Sequence, residues 1–140
     1  MKNKLFITKK LKIISNIDGD IMLGLKKNDK QFLRFEELYF SKIIINKIKA
    51  WKIHKKATMN LLVPYGNIKF VIYDLKNHKF YSQILGENNY KLLTIYPGTI
   101  FGFKGLSRPF SILSNVSNYI NDKNEYKKIN INEFKYDWKK

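Results

Sequence analysis

Short apolar runs broken by turn residues fill almost the whole chain. Segments rich in Ile, Val, Phe and Tyr, among them KLFITKKLKII, ELYFSKIII, NLLVPYG, IKFVIYDL, KFYSQIL, YKLLTIY and FSILSNV, are separated by IDGD, PYGN, LKNH, GENN, PGT and LSRP. β-Branched and aromatic runs bounded by Gly, Pro, Asn and Asp clusters predict strands. Within IKFVIYDL, alternation places Ile68, Phe70, Ile72 and Asp74 on one face and Lys69, Val71 and Tyr73 on the other, so a carboxylate joins an otherwise apolar inner face. Several such strands at even spacing predict an all-β barrel or sandwich. Only the region from DKNEYKKI onward is open to a helical turn. No repeat, linker or boundary interrupts the pattern, and residues 1–140 are expected to form a single domain.

Composition narrows the function. Hydrophobic residues make up 44% of the chain and aromatics 15%, so it is expected to fold despite a formal charge of +16. There is no cysteine, which removes disulfides, thiolate metal sites and thiol nucleophiles. The stretch MKNKLFITKKLKII has lysines in every apolar run, unlike a signal peptide, and no segment is apolar for long enough to span a bilayer. A cytoplasmic protein without membrane partners is the expectation.

The positive charge raises the question of nucleic acid. Of 27 basic residues two, Arg34 and Arg108, are arginine, leaving 25 lysines. Readers of phosphates and bases favour the bidentate fork of arginine, and these lysines are scattered rather than blocked. Nucleic acid is therefore not the expected partner, whereas a general attraction for anionic substrates such as nucleotide phosphates fits.

The chemistry points to KAWKIHKK, residues 49–56. Lys52 and His54 lie two positions apart in a predicted strand and so share a face. Removing a proton beside a carbonyl needs a base of near-neutral pKa and a group that stabilises the enolate. Burial and a like charge would depress the pKa of Lys52 and make it a base or a Schiff-base amine. Alternatively, His54 is the base and a charged Lys52 stabilises the enolate oxygen or a phosphate. A purely structural reading stands beside both: Lys52 pairs with Asp74, and His54 hydrogen-bonds inside the barrel. Tyr39 and Trp51 are open to two readings, sugar platform or core, and the Gly98 and Gly102 pair is assigned to turn geometry.

FEELYFSKI, IKAWKIHKK, VPYGNIKFVIYDL, GENNYKLLTIYPGTIFGFKGL and a closing Asn/Asp/Glu-rich stretch ending in KYDW follow one another in the order and at the separations of the small cupins related to dTDP-4-dehydrorhamnose 3,5-epimerase. The chain resembles this group over roughly residues 19 to 138. The resemblance implies a double-stranded β-helix, or jelly roll, usually dimeric, whose barrel holds a nucleotide-linked keto-sugar on the way to bacterial surface polysaccharides. It implies His54, Lys52 and Asp74 as catalytic residues, with Asp74 orienting one of the other two, and Lys49, Trp51, Tyr39 and Asn60 as substrate-binding residues. Lys49 stands where the epimerases carry an arginine, and a solvated strand-edge lysine is its plain alternative.

The sequence also departs from that group. Lys52 occupies the position of the epimerases' catalytic histidine. Of the His-x-His pair of the closer small relatives and of the similar sugar 3,4-ketoisomerases, only His54 remains. Phe101 stands where many cupins have another histidine, and Leu113 or Ser114 falls near the epimerases' acidic tyrosine, with Tyr119 as the following aromatic. A metal-binding cupin needs two histidines, a glutamate and a distant third histidine, and His78 lies in a turn, so no metal and no cofactor is expected. The expectation is a metal-independent epimerase or isomerase acting on an NDP-4-keto-deoxysugar as a homodimer, with the lysine-rich N-terminal strand as the candidate for exchange between subunits. The alternative is a degenerate cupin that binds a sugar nucleotide or a partner enzyme without turnover.

Overall fold

The computed structural model describes residues 4–140, so the first three positions of the N-terminal lysine-rich stretch lie outside it. Twelve strands follow in order: β1 (Phe6–Lys10), β2 (Ile13–Ile14), β3 (Ile21–Met22), β4 (Glu37–Ile44), β5 (Ile48–His54), β6 (Met59–Tyr65), β7 (Asn67–Asp74), β8 (Lys79–Gly86), β9 (Lys91–Ile95), β10 (Ile100–Gly105), β11 (Phe110–Ser117) and β12 (Tyr126–Lys128). A single 3-10 turn, Ile131–Glu133, is the helical element anticipated near the C-terminus. Two five-stranded antiparallel sheets, ordered β1-β9-β6-β11-β4 and β12-β5-β10-β7-β8, face each other as in a jelly roll, and β2-β3 forms a small hairpin. The all-β reading holds strand for strand. The N-terminal strand β1 pairs with β9 of its own chain, Phe6 opposite Ile95.

Alternation explains the core between the sheets. Ile68, Phe70 and Ile72 of β7 point inward and meet Leu61 and Val63 of β6, Leu93 and Ile95 of β9, and Phe101 of β10. The opposite face of β7 was expected to be the polar one, yet Val71 is fully buried and Lys69 nearly so. The C-terminal segment lies across this outer face. Trp51, Val71, Ile100 and Trp138 form a second core there, packed by Tyr73, Phe80, Phe134 and Tyr136. The Lys69 ammonium donates to the Lys140 carbonyl and that of Lys104 to the Trp138 carbonyl, each at 2.9 Å. A third cluster, with Leu11, Leu62, Tyr90 and Leu92, covers the outer side of β6 and β9.

One irregularity positions the site. In the pairing of β5 with β10, Phe101 lies opposite Lys52 but Phe103 lies opposite Lys49, so Ala50 and Trp51 together oppose Gly102. This is a bulge, and it resets the alternation of β5. A Cβ on Gly102 would sit 2.5 Å from that of Ala50, so only glycine fits. Gly102 thus serves close strand approach rather than a turn, whereas Gly98, at φ +80°, does serve the PGT turn and donates its N–H to the His54 carbonyl at 2.7 Å.

Candidate active site

The bulge brings Lys49, Lys52 and His54 to one side of β5, where they line a cavity of about 620 Å³ between the two sheets. Simple alternation would have separated Lys49 from Lys52. The opposite wall is built by Tyr39 and Ser41 of β4 and by Leu113 and Asn115 of β11, and Phe101 and Phe103 of β10, with Met59 and Leu61 of β6, complete the lining. Lys128 of β12 and Asn121 also reach the cavity.

His54 is the chemical centre. Its Nδ1 lies 2.6 Å from Oε2 of Glu125, while its Nε2 is buried and has no hydrogen-bond partner. Glu125 is itself fixed, because Oε1 accepts the backbone N–H groups of Lys56 (2.9 Å) and Ala57 (2.8 Å). With three donors on its carboxylate, Glu125 is an acceptor that assigns the ring proton to Nδ1 and leaves a lone pair on Nε2. Burial pushes the His54 pKa down, against the opposing pull of Glu125, and the Lys52 charge adds to the downward shift. Burial alone would raise the Glu125 carboxyl, but the hydrogen bonds from His54, Ala57 and Lys56 bring it below the ordinary value. The outcome is a neutral imidazole beside an ionised carboxylate. The phenyl ring of Phe101 stacks on the imidazole with centroids 6.1 Å apart, filling apolar space where a second imidazole was looked for.

Lys52 stands directly across the ladder from Lys128. Its ammonium sits 4.0 Å from the centroid of the Tyr126 ring. Burial and the neighbouring Lys128 charge lower its pKa. The Lys49 ammonium donates to the Lys42 carbonyl at 3.3 Å. Tyr39 projects from the opposite sheet, and its hydroxyl accepts from Asn115 Nδ2 at 2.7 Å, which leaves its own proton free. Burial raises the Tyr39 pKa, so it is a neutral phenol.

Three expected site residues are placed elsewhere. Asp74 does not orient the base. It closes the β7–β8 turn, where its carboxylate accepts Asn77 Nδ2 at 2.7 Å and the N–H groups of Lys76 and Asn77, and these bonds, the Asn77 side chain first, lower its pKa. It therefore forms no ion pair with Lys52. Asn60 is turned away from the cavity because its neighbours Met59 and Leu61 point inward. It accepts from Thr94 Oγ1 at 2.7 Å and donates to the Gln31 carbonyl at 2.9 Å, a structural link. The Trp51 indole faces the outer core, with Nε1 donating to the Ile131 carbonyl and the Trp138 ring 5.3 Å away, so only the backbone side of this residue borders the cavity. It is core rather than sugar platform. His78 is exposed in the β7–β8 turn. Tyr119 packs against the core with the Arg34 guanidinium 4.6 Å above its ring. Among the described residues no three His, Cys, Asp or Glu side chains gather as a metal site requires.

Glu125 is the residue that sequence reasoning missed. It lies 71 positions from His54. The available signal was its place in the Asn/Asp/Glu-rich closing stretch, immediately before the short strand Tyr126–Lys128 that adds to β5.

No family model and no curated protein matches the chain. Solved structures do. The chain is similar to a dTDP sugar isomerase from Desulfovibrio desulfuricans G20, at 26% identity and a TM-score of 0.90, over 96% of this chain and 90% of that one. It is also similar in fold to a variant of the sugar 3,4-ketoisomerase QdtA from Thermoanaerobacterium thermosaccharolyticum, in complex with TDP-4-keto-6-deoxyglucose (16% identity, TM-score 0.76, 90% and 88% of the two chains). A dTDP-4-dehydrorhamnose 3,5-epimerase from Sulfolobus tokodaii shares the fold at 20% identity and a TM-score of 0.80, over 94% of this chain and 80% of the other. The resemblance first read in five sequence motifs is thus a resemblance of whole chains.

Proposed function

We propose that this protein is a nucleotide-sugar epimerase or isomerase that moves a proton at the carbon next to the keto group of a dTDP-linked or similar NDP-linked 4-keto-6-deoxysugar. The observation that carries the proposal is the His54–Glu125 pair, which leaves an unpartnered imidazole nitrogen in a cavity between the sheets. The likeness to a dTDP sugar isomerase over nearly the whole chain supports the substrate class.

In this reading Nε2 of His54 takes the proton from the carbon beside the carbonyl. The electron pair of the broken C–H bond moves into the ring as a C=C bond, and the carbonyl oxygen becomes an enolate oxygen. Glu125 holds the resulting imidazolium in place, as a carboxylate behind a histidine does in other proton-transfer sites. Lys52 faces the developing oxyanion as an electrostatic stabiliser. It suits this role better than that of base, because Glu125 backs the imidazole directly and no comparable acceptor backs the amine. Lys49 and Lys128 are assigned to the diphosphate: an anion set between Lys52 and Lys128 relieves the repulsion between these cross-strand neighbours. Tyr39 and Asn115 border the sugar from the opposite wall.

The chain acts as a single domain and a homodimer, in the cytoplasm, on the precursor of a surface polysaccharide. The test is to incubate the purified protein with TDP-4-keto-6-deoxyglucose in deuterium oxide and to follow the ring protons by NMR. Loss of the C3 or C5 proton signal is expected and names the carbon. Binding without exchange at any ring carbon would overturn the catalytic reading in favour of a cupin that only holds a sugar nucleotide.

A further inference from the structure

One sheet face is left open. Along β4 the exposed side chains include Phe40 at 66%, Ile44 at 56% and Leu38 at 48%, while Tyr39, Ser41 and Ile43 between them point inward. Across the ladder Leu38 lies opposite Val116 and Ile44 opposite Phe110, so β11 continues the apolar surface. The outer side of β6 and β9 is covered by the cluster around Leu11 and Leu62, and the outer face of the other sheet is sealed by the C-terminal segment. A contiguous apolar patch of this kind on an otherwise lysine-rich chain marks an interaction surface.

The charge pattern identifies the occupant. The exposed row continues the ladder N-terminally to Glu36, whose N–H donates to the Ser117 carbonyl, and reads Glu36, Leu38, Phe40, Lys42. It is acidic at one end, basic at the other and apolar between, and therefore complementary to its own reverse. A two-fold axis passing beside Tyr39 sets Glu36 of one copy against Lys42 of the second, twice, and Leu38 against Phe40, twice. With a net charge of +16 and only 11 acidic residues, most faces of this chain would meet their copy lysine to lysine. This one does not.

We propose that the outer face of β4 and β11 is the surface on which a second copy of this chain packs, sheet against sheet, with reciprocal Glu36–Lys42 pairs flanking a Leu38–Phe40 centre. The packing is face to face rather than edge to edge. The free edge of β4 borders the cavity, where Tyr39 and Ser41 enter the lining and Lys49 reaches the Lys42 carbonyl, and stacked sheets leave that mouth open. The proposal gives the homodimer of the functional reading a specific interface in place of strand exchange. An active monomer would refute the interface and leave the chemistry standing, and an inert dimer would do the reverse.

Sedimentation velocity across the micromolar range tests it on the full chain. The wild type is expected at twice the chain mass. Lys42→Glu and Glu36→Lys, each of which sets like charges against one another, are expected to weaken association at least about tenfold, and the double exchange to restore it to within a few-fold of wild type. Phe40→Glu is expected to give monomers whose circular dichroism and melting match the parent, since the side chain is exposed. A monomeric wild type, single reversals that change nothing, or a double exchange weaker than either single would each overturn the proposal.

Discussion

The two faces of the sheet that contains β5 use the same strand in opposite ways. On the outside, the Trp51 ring is wedged among Phe80, Phe134 and Trp138, and its indole nitrogen is satisfied by the Ile131 carbonyl. On the inside, three residues further along, His54 is just as buried but keeps one ring nitrogen without a partner. Burying a polar atom unpaired is costly. A fold that satisfies every other polar atom of this pair, down to two backbone N–H groups on Glu125, and leaves Nε2 bare has kept that atom for something that is not always present. The contrast separates packing from chemistry on adjacent positions of one strand.

The largest effect should come from the inner face. His54→Asn, close in shape but unable to accept a proton from carbon, is expected to lower deuterium exchange by about 10³-fold or more while leaving the melting temperature near that of the parent. On the outer face, Trp51→Ala is expected to cost about 3–5 kcal/mol of stability, read from urea unfolding, because it empties the centre of the second core. If Trp51→Ala instead impaired exchange in a protein of unchanged stability, the division between the faces would be wrong.

Glu125→Gln refines the comparison, because the amide can also donate to Nδ1 and so favours the wrong tautomer. Exchange is expected to fall about a hundredfold with little change in substrate affinity, and calorimetric titration with TDP would check the latter. The smallest effect is reserved for Asp74→Asn. This turn residue makes no contact with the cavity, and exchange should stay within about twofold of wild type.

The pH dependence carries a sign. His54 has a lower pKa folded than unfolded, so as pH falls through the ordinary imidazole value of about 6.5 the unfolded chain takes up a proton that the folded chain refuses, and stability declines. Glu125, also lowered in the folded state, contributes stability above its unfolded pKa and loses it on further acidification. Both groups weaken the fold on the acid side. Turnover should drop there as well, when Nε2 of His54 takes a proton from solvent, and urea titrations between neutral and acid pH should show less of this decline in His54→Asn.

Much of this was legible in the chain. The strands were written in alternation, and the turns in Gly, Pro and Asn, because a half-buried strand must repeat every two residues. Lys52 and His54 were found together for the same reason. What was illegible depended on contacts distant in sequence. Asp74 shares the inward parity of Ile68, Phe70 and Ile72, but parity does not say how far along the strand the cavity extends, and it ends before the turn that Asp74 caps. Asn60 failed for the opposite reason, as its parity points it outward. The bulge at Ala50 and Trp51 left no mark except Gly102, and the outer core was disguised by Lys69 and Lys104, whose ammonium groups end on carbonyls of the C-terminal segment. Glu125 could be recognised as the base's partner only once β12 was seen beside β5.

The most direct test of the central claim is a pH-titrated nitrogen NMR spectrum of the protein labelled with ¹⁵N-histidine, with His54→Asn used to assign the resonance. The account predicts that His54 is neutral at pH 7, protonated at Nδ1 and bare at Nε2, with a midpoint below about 6.5. A proton on Nε2 in the neutral ring, or a midpoint well above that value, would show that the nitrogen facing the cavity is no base and would contradict the mechanism.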